Sequence, residues 1–153
     1  MRVWQIERFG IDGLTCVERE TPEPGPGQVL VRMRAASLNY RDLMMVTGRY
    51  NPKLRLPMVP LSDGVGEVVA VGAGVRAVAV GDRMAGTFFQ AWTGGRMTEA
   101  GARSALGGAI DGVLSEYVVL SEDGVVAVPA HLSDEEAATL PCAAVTASRE
   151  ACM

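Results

Sequence analysis

Short valine-rich segments separated by glycine and proline constrain the fold of this chain more than any other feature of its sequence. In the segment QVLVRMRAA, the apolar side chains of Val29, Val31 and Met33 alternate with other residues, which is the period of a strand with one buried face. Strands this short and this regularly spaced predict a β-barrel or a β-sandwich. The other predicted strands are VWQI, LTCVERE, VGEVVAVG, GDRMAG, VLSEYVVL and VVAVP.

The last part of the sequence departs from this β pattern. Ser133 stands three residues before Glu136, ahead of an Ala-rich run, and this arrangement predicts a helix that starts with a capping box. Pro141 ends that helix or opens a second one, which would begin near Cys142 and meets no Gly or polar tail by Met153. We therefore expect the chain to end inside a helix that ought to continue.

Composition narrows the classes of function. The 153 residues suffice for one domain, and with 48% hydrophobic and 21% charged residues the chain is globular. A net charge of −4 without a basic cluster argues against nucleic acid or an anionic membrane as partner. No apolar run reaches the roughly 20 residues of a membrane helix, and MRVWQIERFG is no secretory signal. The three cysteines form no CxxC pair, so we expect a reducing, cytoplasmic location.

Two candidate motifs have simple structural explanations. Gly72-Ala73-Gly74 lacks the third glycine of a dinucleotide fingerprint, because position 77 is Ala, and we expect a hairpin turn there. His131 is the single histidine and lies beside a predicted helix cap, so we expect it to be exposed.

Residues 87–112 form the least regular region, which is typical of a functional or a mobile loop.

The stretch SLNYRDLMMVTGRY, residues 37–50, is more polar than its surroundings. We predict a short helix from Asn39 to Val46. At helical spacing Asn39 and Asp42 share one face, and Leu38, Leu43 and Val46 point inward. Local reasoning leaves two alternatives open. Asn39 and Asp42 cap and solvate the helix, or the stretch is an active-site wall where the Tyr50 phenol donates to a developing oxyanion.

Several motifs in fixed order resemble the N-terminal half of a medium-chain dehydrogenase/reductase. They are SLNYRDL, G-x-Y, PxVPLSDGVGEVVAVGxGV, VGDR, LGGxxDGVLSEYVVL and LSDEEAATLPCAAVTA. The resemblance runs from Gly25 to Ala147 and is strongest to the zinc-independent quinone-oxidoreductase-like branch, often labelled zinc-type alcohol dehydrogenase-like. It implies a mainly β fold with short helices, a GroES-like, partly open β-barrel, over residues 1–130. Residues 131–153 would then be the helical start of a connection to a missing Rossmann domain.

The resemblance also implies that no zinc is bound. The first zinc ligand of the zinc-dependent branch is a Cys, and this chain has Asn39 at that position. That branch next has a His followed by a Glu, where this chain has Ser62 and Asp63. The third ligand, a Cys, matches Cys142. Catalytic zinc takes three protein ligands, and one soft ligand of three remains. The structural zinc of the family is held by four close cysteines, and residues 87–112 contain none. Both metals are therefore predicted to be absent.

The residues that the resemblance assigns to the active site lie in the polar stretch and in the last helix. Tyr50, Asn39 and Asp42 are the predicted catalytic residues, and Asn39, Tyr40 and Thr146 are predicted to face the nicotinamide. The implied reaction is hydride transfer from NADPH to a quinone, enone or carbonyl substrate, a small molecule, without zinc. We expect the chain to be inactive alone and to bind NADP(H) weakly or not at all.

Another class of function stays open at this point. A GroES-like barrel could serve by itself as a binding or oligomerisation module, or be a truncated product without activity, and titration with cofactor separates these alternatives. In either case the missing family strands leave barrel edges unpaired, which predicts a homo-oligomer.

Overall fold

The computed structural model describes residues 1–150, whose seven strands form two antiparallel sheets. A two-stranded sheet pairs β1 with β2, and a five-stranded sheet has the order β6-β3-β4-β5-β7. The strands are β1 (Arg2–Ile6), β2 (Leu14–Glu18), β3 (Gln28–Ser37), β4 (Asp63–Val71), β5 (Arg83–Gly86), β6 (Tyr117–Ser121) and β7 (Val125–Ala127). Each of them overlaps a segment that the valine-rich pattern predicted, with bounds that differ by a few residues.

Strand β3 lies inside the five-stranded sheet and supplies much of its core. Val29 and Val31 are fully buried, and Met33 packs against the same cluster with its side chain partly buried, so the predicted alternation is confirmed. Two irregularities interrupt the register of β3 against β4, one after Leu30 and one after Met33. Such irregularities bend a strand and increase its twist, which favours a curled sheet.

The connection between β6 and β7 shows how strongly the sheet curls. Ser121 ends β6 at one edge, and Val125 begins β7 at the other edge. The chain between these two residues spans at most about 14 Å when fully extended. A flat sheet of five strands would place its outer strands about 19 Å apart. The two edges therefore face each other across a short gap, and the sheet is an incomplete barrel.

Residues 87–112 are hydrogen-bonded to the chain that connects the two edges. The segment contains the short helix α2 (Glu99–Ala102) and is otherwise irregular, as predicted. The buried amide of Gln90 donates to the Gly124 carbonyl at 2.8 Å and accepts from the Ser121 N–H at 2.9 Å. One side chain thus ties this segment to both ends of the β6–β7 connection.

The helices are short. They are α1 (Tyr40–Val46), α2, α3 (Asp134–Ala138) and α4 (Val145–Glu150), with a π-helical turn at Leu140–Ala144. The predicted capping box is confirmed, because the Ser133 hydroxyl accepts from the Glu136 N–H at 3.1 Å and the Glu136 carboxylate accepts from the Ser133 N–H at 2.9 Å. Ala137 and Ala138 of α3 pack on Val65 of β4. Among the described residues, no helix has the length and apolar character needed to cross a membrane.

Two smaller expectations are confirmed, and one lies outside the described residues. Gly74 adopts a φ of 83° in the turn that leads from β4 towards β5, so the glycine pair belongs to a strand-to-strand connection. His131 is exposed. Pro141 lies within the π-helical turn, and regular α-helix resumes at Val145. The expectation of an unfinished helix at Met153 concerns residues that the structure does not describe.

Candidate active site

Asn39 is the N-cap residue that precedes helix α1, and the carboxylate of Asp42 fixes this start of the helix. Asp42 accepts a hydrogen bond from the backbone N–H of Asn39 at 2.8 Å, which satisfies one backbone donor at the helix end. The capping role predicted for these two residues is therefore confirmed. The predicted solvation of Asp42 is wrong, because this residue is only 3% exposed.

The predicted inward direction of two leucines is also wrong. Leu38 is 79% exposed and Leu43 is 46% exposed, whereas Met45 and Val46 are buried as part of the inner face of α1. The physical reason is that Asp42 occupies the inner face, and residues three and four positions further along a helix share its face. The helix is thus rotated relative to the arrangement that hydrophobicity alone favours.

Burial has an electrostatic consequence for Asp42. Its pKa is raised by loss of solvation, and the negative charge of Asp63 raises it further. The N–H of Asn39 and the guanidinium of Arg41 act in the opposite direction, towards a lower pKa. Arg41 lies 3.9 Å from the Asp42 carboxylate, so this ion pair is long. Burial is the largest of these effects.

Tyr50 lies on the wall of a cavity of about 270 Å³ between α1 and residues 87–112. The phenol is 55% exposed, and the guanidinium carbon of Arg41 lies 5.4 Å from the centre of its ring. Phe88 lines the same cavity, and its ring centre is 4.6 Å from the same guanidinium carbon. A cation placed over aromatic rings at such distances is attracted to their faces. The cavity therefore combines one phenol, one cation and aromatic walls.

Asn39 and Asp42 line a different cavity on the other side of α1. This second cavity has a volume of about 290 Å³ and is bordered mainly by apolar side chains, which include Ile11, Leu14, Leu38, Leu43 and Val46. It shares no lining residue with the Tyr50 cavity. The structure thus places the predicted catalytic residues in two groups, separated by the helix.

The residues at the positions of the zinc ligands belong to a hydrogen-bonded network. Asp63 is fully buried, and it accepts from the Ser62 hydroxyl at 2.6 Å and from the backbone N–H of Cys142 at 3.0 Å. Burial raises the pKa of the Cys142 thiol, and the negative charge of Asp63 raises it further. A thiol held in its neutral form is a poor metal ligand, because metals bind the thiolate.

These residues do not fit a catalytic zinc ion. Asn39 and Ser62 offer a neutral amide and a neutral hydroxyl, and both oxygens of Asp63 already accept hydrogen bonds. Catalytic zinc uses three ligands drawn from thiolate, imidazole and carboxylate. Within residues 1–150, no group of three His, Cys, Asp or Glu side chains is placed to hold a metal ion.

The two remaining predicted cofactor-facing residues lie at the surface. Tyr40 is 75% exposed at the first position of α1. Thr146 is exposed on α4, and its side chain acts to lower the pKa of the Cys142 thiol, against the effect of burial.

Sequence reasoning missed Arg41 and Phe88. The Arg41 side chain donates to the carbonyl of Leu106 at 3.1 Å, so it links α1 to a segment far away in the sequence. The charged residue in the middle of SLNYRDL was a signal that could have drawn attention to Arg41. Nothing in the sequence indicated that Phe88 would lie over its guanidinium.

Comparison with known proteins adds to this geometry. The alcohol dehydrogenase GroES-like domain family matches residues 25–130. A zinc-type alcohol dehydrogenase-like protein of Schizosaccharomyces pombe is 48% identical over 142 residues, which cover 92% of this chain and 41% of that protein. A chloroplastic quinone-oxidoreductase of Triphysaria versicolor is 34% identical over 151 residues, which cover 96% of this chain and 40% of that protein.

A solved structure gives the same picture at the level of the fold. The cobalt- and zinc-bound thermostable alcohol dehydrogenase from Pyrobaculum aerophilum matches with a TM-score of 0.86 and 32% identity. The match covers 99% of this chain and 47% of that chain. The chain thus spans less than half the length of each of these relatives.

Proposed function

The chain belongs to the alcohol dehydrogenase GroES-like domain family, and on this premise we propose that it forms the substrate-side domain of an oxidoreductase. The predicted GroES-like, partly open barrel is confirmed by the family match and the curled sheet. The reaction we propose is hydride transfer from NADPH to a quinone, enone or carbonyl compound without catalytic zinc. The observation that carries the proposal is the Tyr50 phenol in a cavity lined by Arg41 and Phe88.

Without a metal ion, hydrogen-bond donors of the protein must polarise the substrate oxygen. Tyr50 is the proposed donor, because its phenol lies on a cavity wall and is half exposed. A donor aimed at developing charge stabilises the transition state more than the ground state. Asp42 is proposed to act through Asn39, whose backbone N–H it holds, and is thus a positioning residue.

A bound nicotinamide cofactor would supply the hydride. Asn39, Tyr40 and Thr146 are the residues we propose to face it. The buried side-chain Nδ2 of Asn39 has no hydrogen-bond partner among residues 1–150, which suits a residue whose partner comes with a ligand. The turn at residues 72–74 leads to a strand and not to a helix, so it lacks the usual phosphate-binding arrangement. We expect this chain alone to bind NADPH weakly or not at all.

We also propose that the domain works on a small molecule in the cytoplasm as part of a homo-oligomer. Strand β7 is an outer strand of the five-stranded sheet, and its Val126 is 57% exposed. An outer strand of this kind is a template for pairing with another chain. A stable interface would bury on the order of 1,600 Å² in total, and sedimentation measures whether it forms.

The proposal is tested by joining this chain to the cofactor-binding domain of a relative and assaying NADPH oxidation with a quinone and with an enone. We expect turnover in protein whose metal content, measured by mass spectrometry, is below one zinc per ten chains. Turnover that needs added zinc and disappears in Cys142→Ala would contradict the zinc-free mechanism. A folded fusion that binds NADPH but reduces neither substrate would favour the binding-module alternative.

A further inference from the structure

Arg41 is the charged residue among those that line the Tyr50 cavity. Its side chain is only 14% exposed, and its guanidinium carbon lies near the ring centres of Tyr50 and Phe88, at 5.4 Å and 4.6 Å. A positive charge in such a place is partly removed from water. Its interaction with a negative charge in the same cavity is therefore stronger than it would be at the surface.

The hydrogen-bonding capacity of Arg41 is largely unused. A guanidinium carries five N–H donors, and within residues 1–150 one hydrogen bond is found, from Nη1 to the Leu106 carbonyl at 3.1 Å. Nε is buried and has no partner in the same part of the chain. The nearest carboxylate, that of Asp42, is 3.9 Å away. The charge and the Nη donors that have no partner are thus available to a ligand, whereas the buried Nε is not.

The turn that contains Gly108 lies beside the Arg41 guanidinium. Gly108 lies against Nη2 of Arg41, and a side chain at this position would force the guanidinium to shift. Both residues line the cavity, so Nη2 lies beside Gly108 in the cavity lining.

We propose that Arg41 and Tyr50 together form an oxyanion site, in which the guanidinium compensates the negative charge on the oxygen of a planar conjugated substrate. The inference rests on the proposed function and adds a catalytic residue and a substrate class to it. Hydride, which a bound nicotinamide cofactor would supply, adds to the conjugated carbon, and the π electron pair moves onto the oxygen to make an enolate. The Tyr50 hydroxyl gives this oxygen its proton and is reprotonated by water, and the product formed from a quinone tautomerises to the quinol.

The shape of the cavity favours a planar ring over a long chain. Phe88 and Phe89 form part of its wall, with their ring centres 4.7 Å apart and their planes at 65°. The volume of about 270 Å³ is enough for one six-membered ring with its substituents. Aromatic walls suit such a ring.

Binding to the 153-residue chain, without cofactor, tests the inference. The probes are 4-nitrophenolate, a planar ring with a full oxyanion, and nitrobenzene, which lacks it. We expect the parent chain to bind the phenolate more tightly than nitrobenzene. Arg41→Met should weaken phenolate binding by about tenfold to a hundredfold and leave nitrobenzene binding within about twofold. Arg41→Lys should keep part of the preference, because it keeps the charge and loses the planar fork.

The matched control is Arg49→Met, since Arg49 is exposed and lies outside the cavity lining. Equal affinity of the parent for both probes would overturn the inference, as would a preference that Arg41→Met leaves intact. If circular dichroism shows that Arg41→Met does not fold, the parent is compared with Arg41→Lys. The ratio of phenolate affinity to nitrobenzene affinity should then be lower in Arg41→Lys than in the parent, and an unchanged ratio would overturn the inference. A negative result here leaves the proposed function standing, because the experiment involves neither cofactor nor turnover.

Discussion

The two sides of helix α1 differ in chemistry although they share one short element. On one side, Arg41, Tyr50 and Phe88 surround a cavity with a cation, a phenol and aromatic rings. On the other side, Leu38 and Leu43 border an apolar cavity that Asn39 and Asp42 also line. The first side offers groups that can act on a substrate, and the second offers apolar surface beside Asn39, which we propose to face the cofactor.

The difference shows how two neighbouring residues take separate roles. Arg41 and Asp42 are adjacent in the sequence, but consecutive side chains on a helix point about 100° apart. Arg41 reaches across to Leu106 in the irregular segment, whereas Asp42 turns back to hold Asn39. A pattern of polar residues along such a helix therefore does not by itself identify one common site.

The largest expected effect is on catalysis from the Tyr50 side. In the fused enzyme, Tyr50→Phe should lower kcat by about 10²–10³, because losing one oxyanion donor costs about 2.7–4 kcal/mol. Tyr117→Phe is the matched control, since Tyr117 lies in β6 outside the cavity lining. Steady-state kinetics on a quinone and on an enone measure the effect, and thermal unfolding checks the fold. Parent-like turnover in Tyr50→Phe would remove the phenol from the mechanism.

A smaller effect is expected on stability when the buried hydrogen-bonded network of Asp63 is broken. Asp63→Ala leaves the Ser62 hydroxyl and the Cys142 N–H without their acceptor, so the free energy of unfolding should fall by about 3 kcal/mol. Asp123→Ala, at an exposed carboxylate, should change it by no more than about 0.5 kcal/mol. Urea unfolding measures both. Equal, small losses in the two variants would show that the buried network contributes little.

The raised pKa of Asp42 predicts a pH dependence of stability. Between the ordinary pKa of an Asp carboxyl and its raised value in the folded chain, the native state binds more protons than the unfolded state, so this residue's contribution to stability falls as pH rises. Asn39, Arg41 and Asp63 are the groups that act on it. Asp42→Asn should remove the dependence, so the stability of the parent minus that of the variant should decrease with rising pH. A difference that is constant or increases with pH would refute the assignment.

The smallest expected effect concerns the rotation of α1. Leu43→Ala should change the free energy of unfolding by about 0.5 kcal/mol or less, because this side chain is 46% exposed. Met45→Ala, two residues further along on the buried face, should cost about 2–5 kcal/mol. A larger loss for Leu43 than for Met45 would mean that the helix turns its leucine face inward in solution.

The fold was predictable from the sequence where local rules act alone. The alternation in β3 and the pair Ser133 and Glu136 gave correct elements, since strand period and helix capping depend on neighbouring residues. The rotation of α1 was not predictable, because the charged side chain of Asp42 is buried where the hydrophobic pattern predicts a leucine. Arg41 was missed because its partner, the Leu106 carbonyl, is brought near by the tertiary fold. The two separate cavities were missed for the same reason.

The order of strands in the curled sheet also has a consequence for how the domain folds. Gln28 of β3 pairs with Ser121 of β6, so one side of β3 stays without a partner until nearly the whole domain has left the ribosome. Pairings between residues this distant in sequence make folding slow, on a scale of milliseconds to seconds for comparable β proteins. During that interval the unpaired edge of β3 and its valines are open to association with other chains. Synthesis speed and chaperone supply should therefore affect the yield of this domain more than its final stability does.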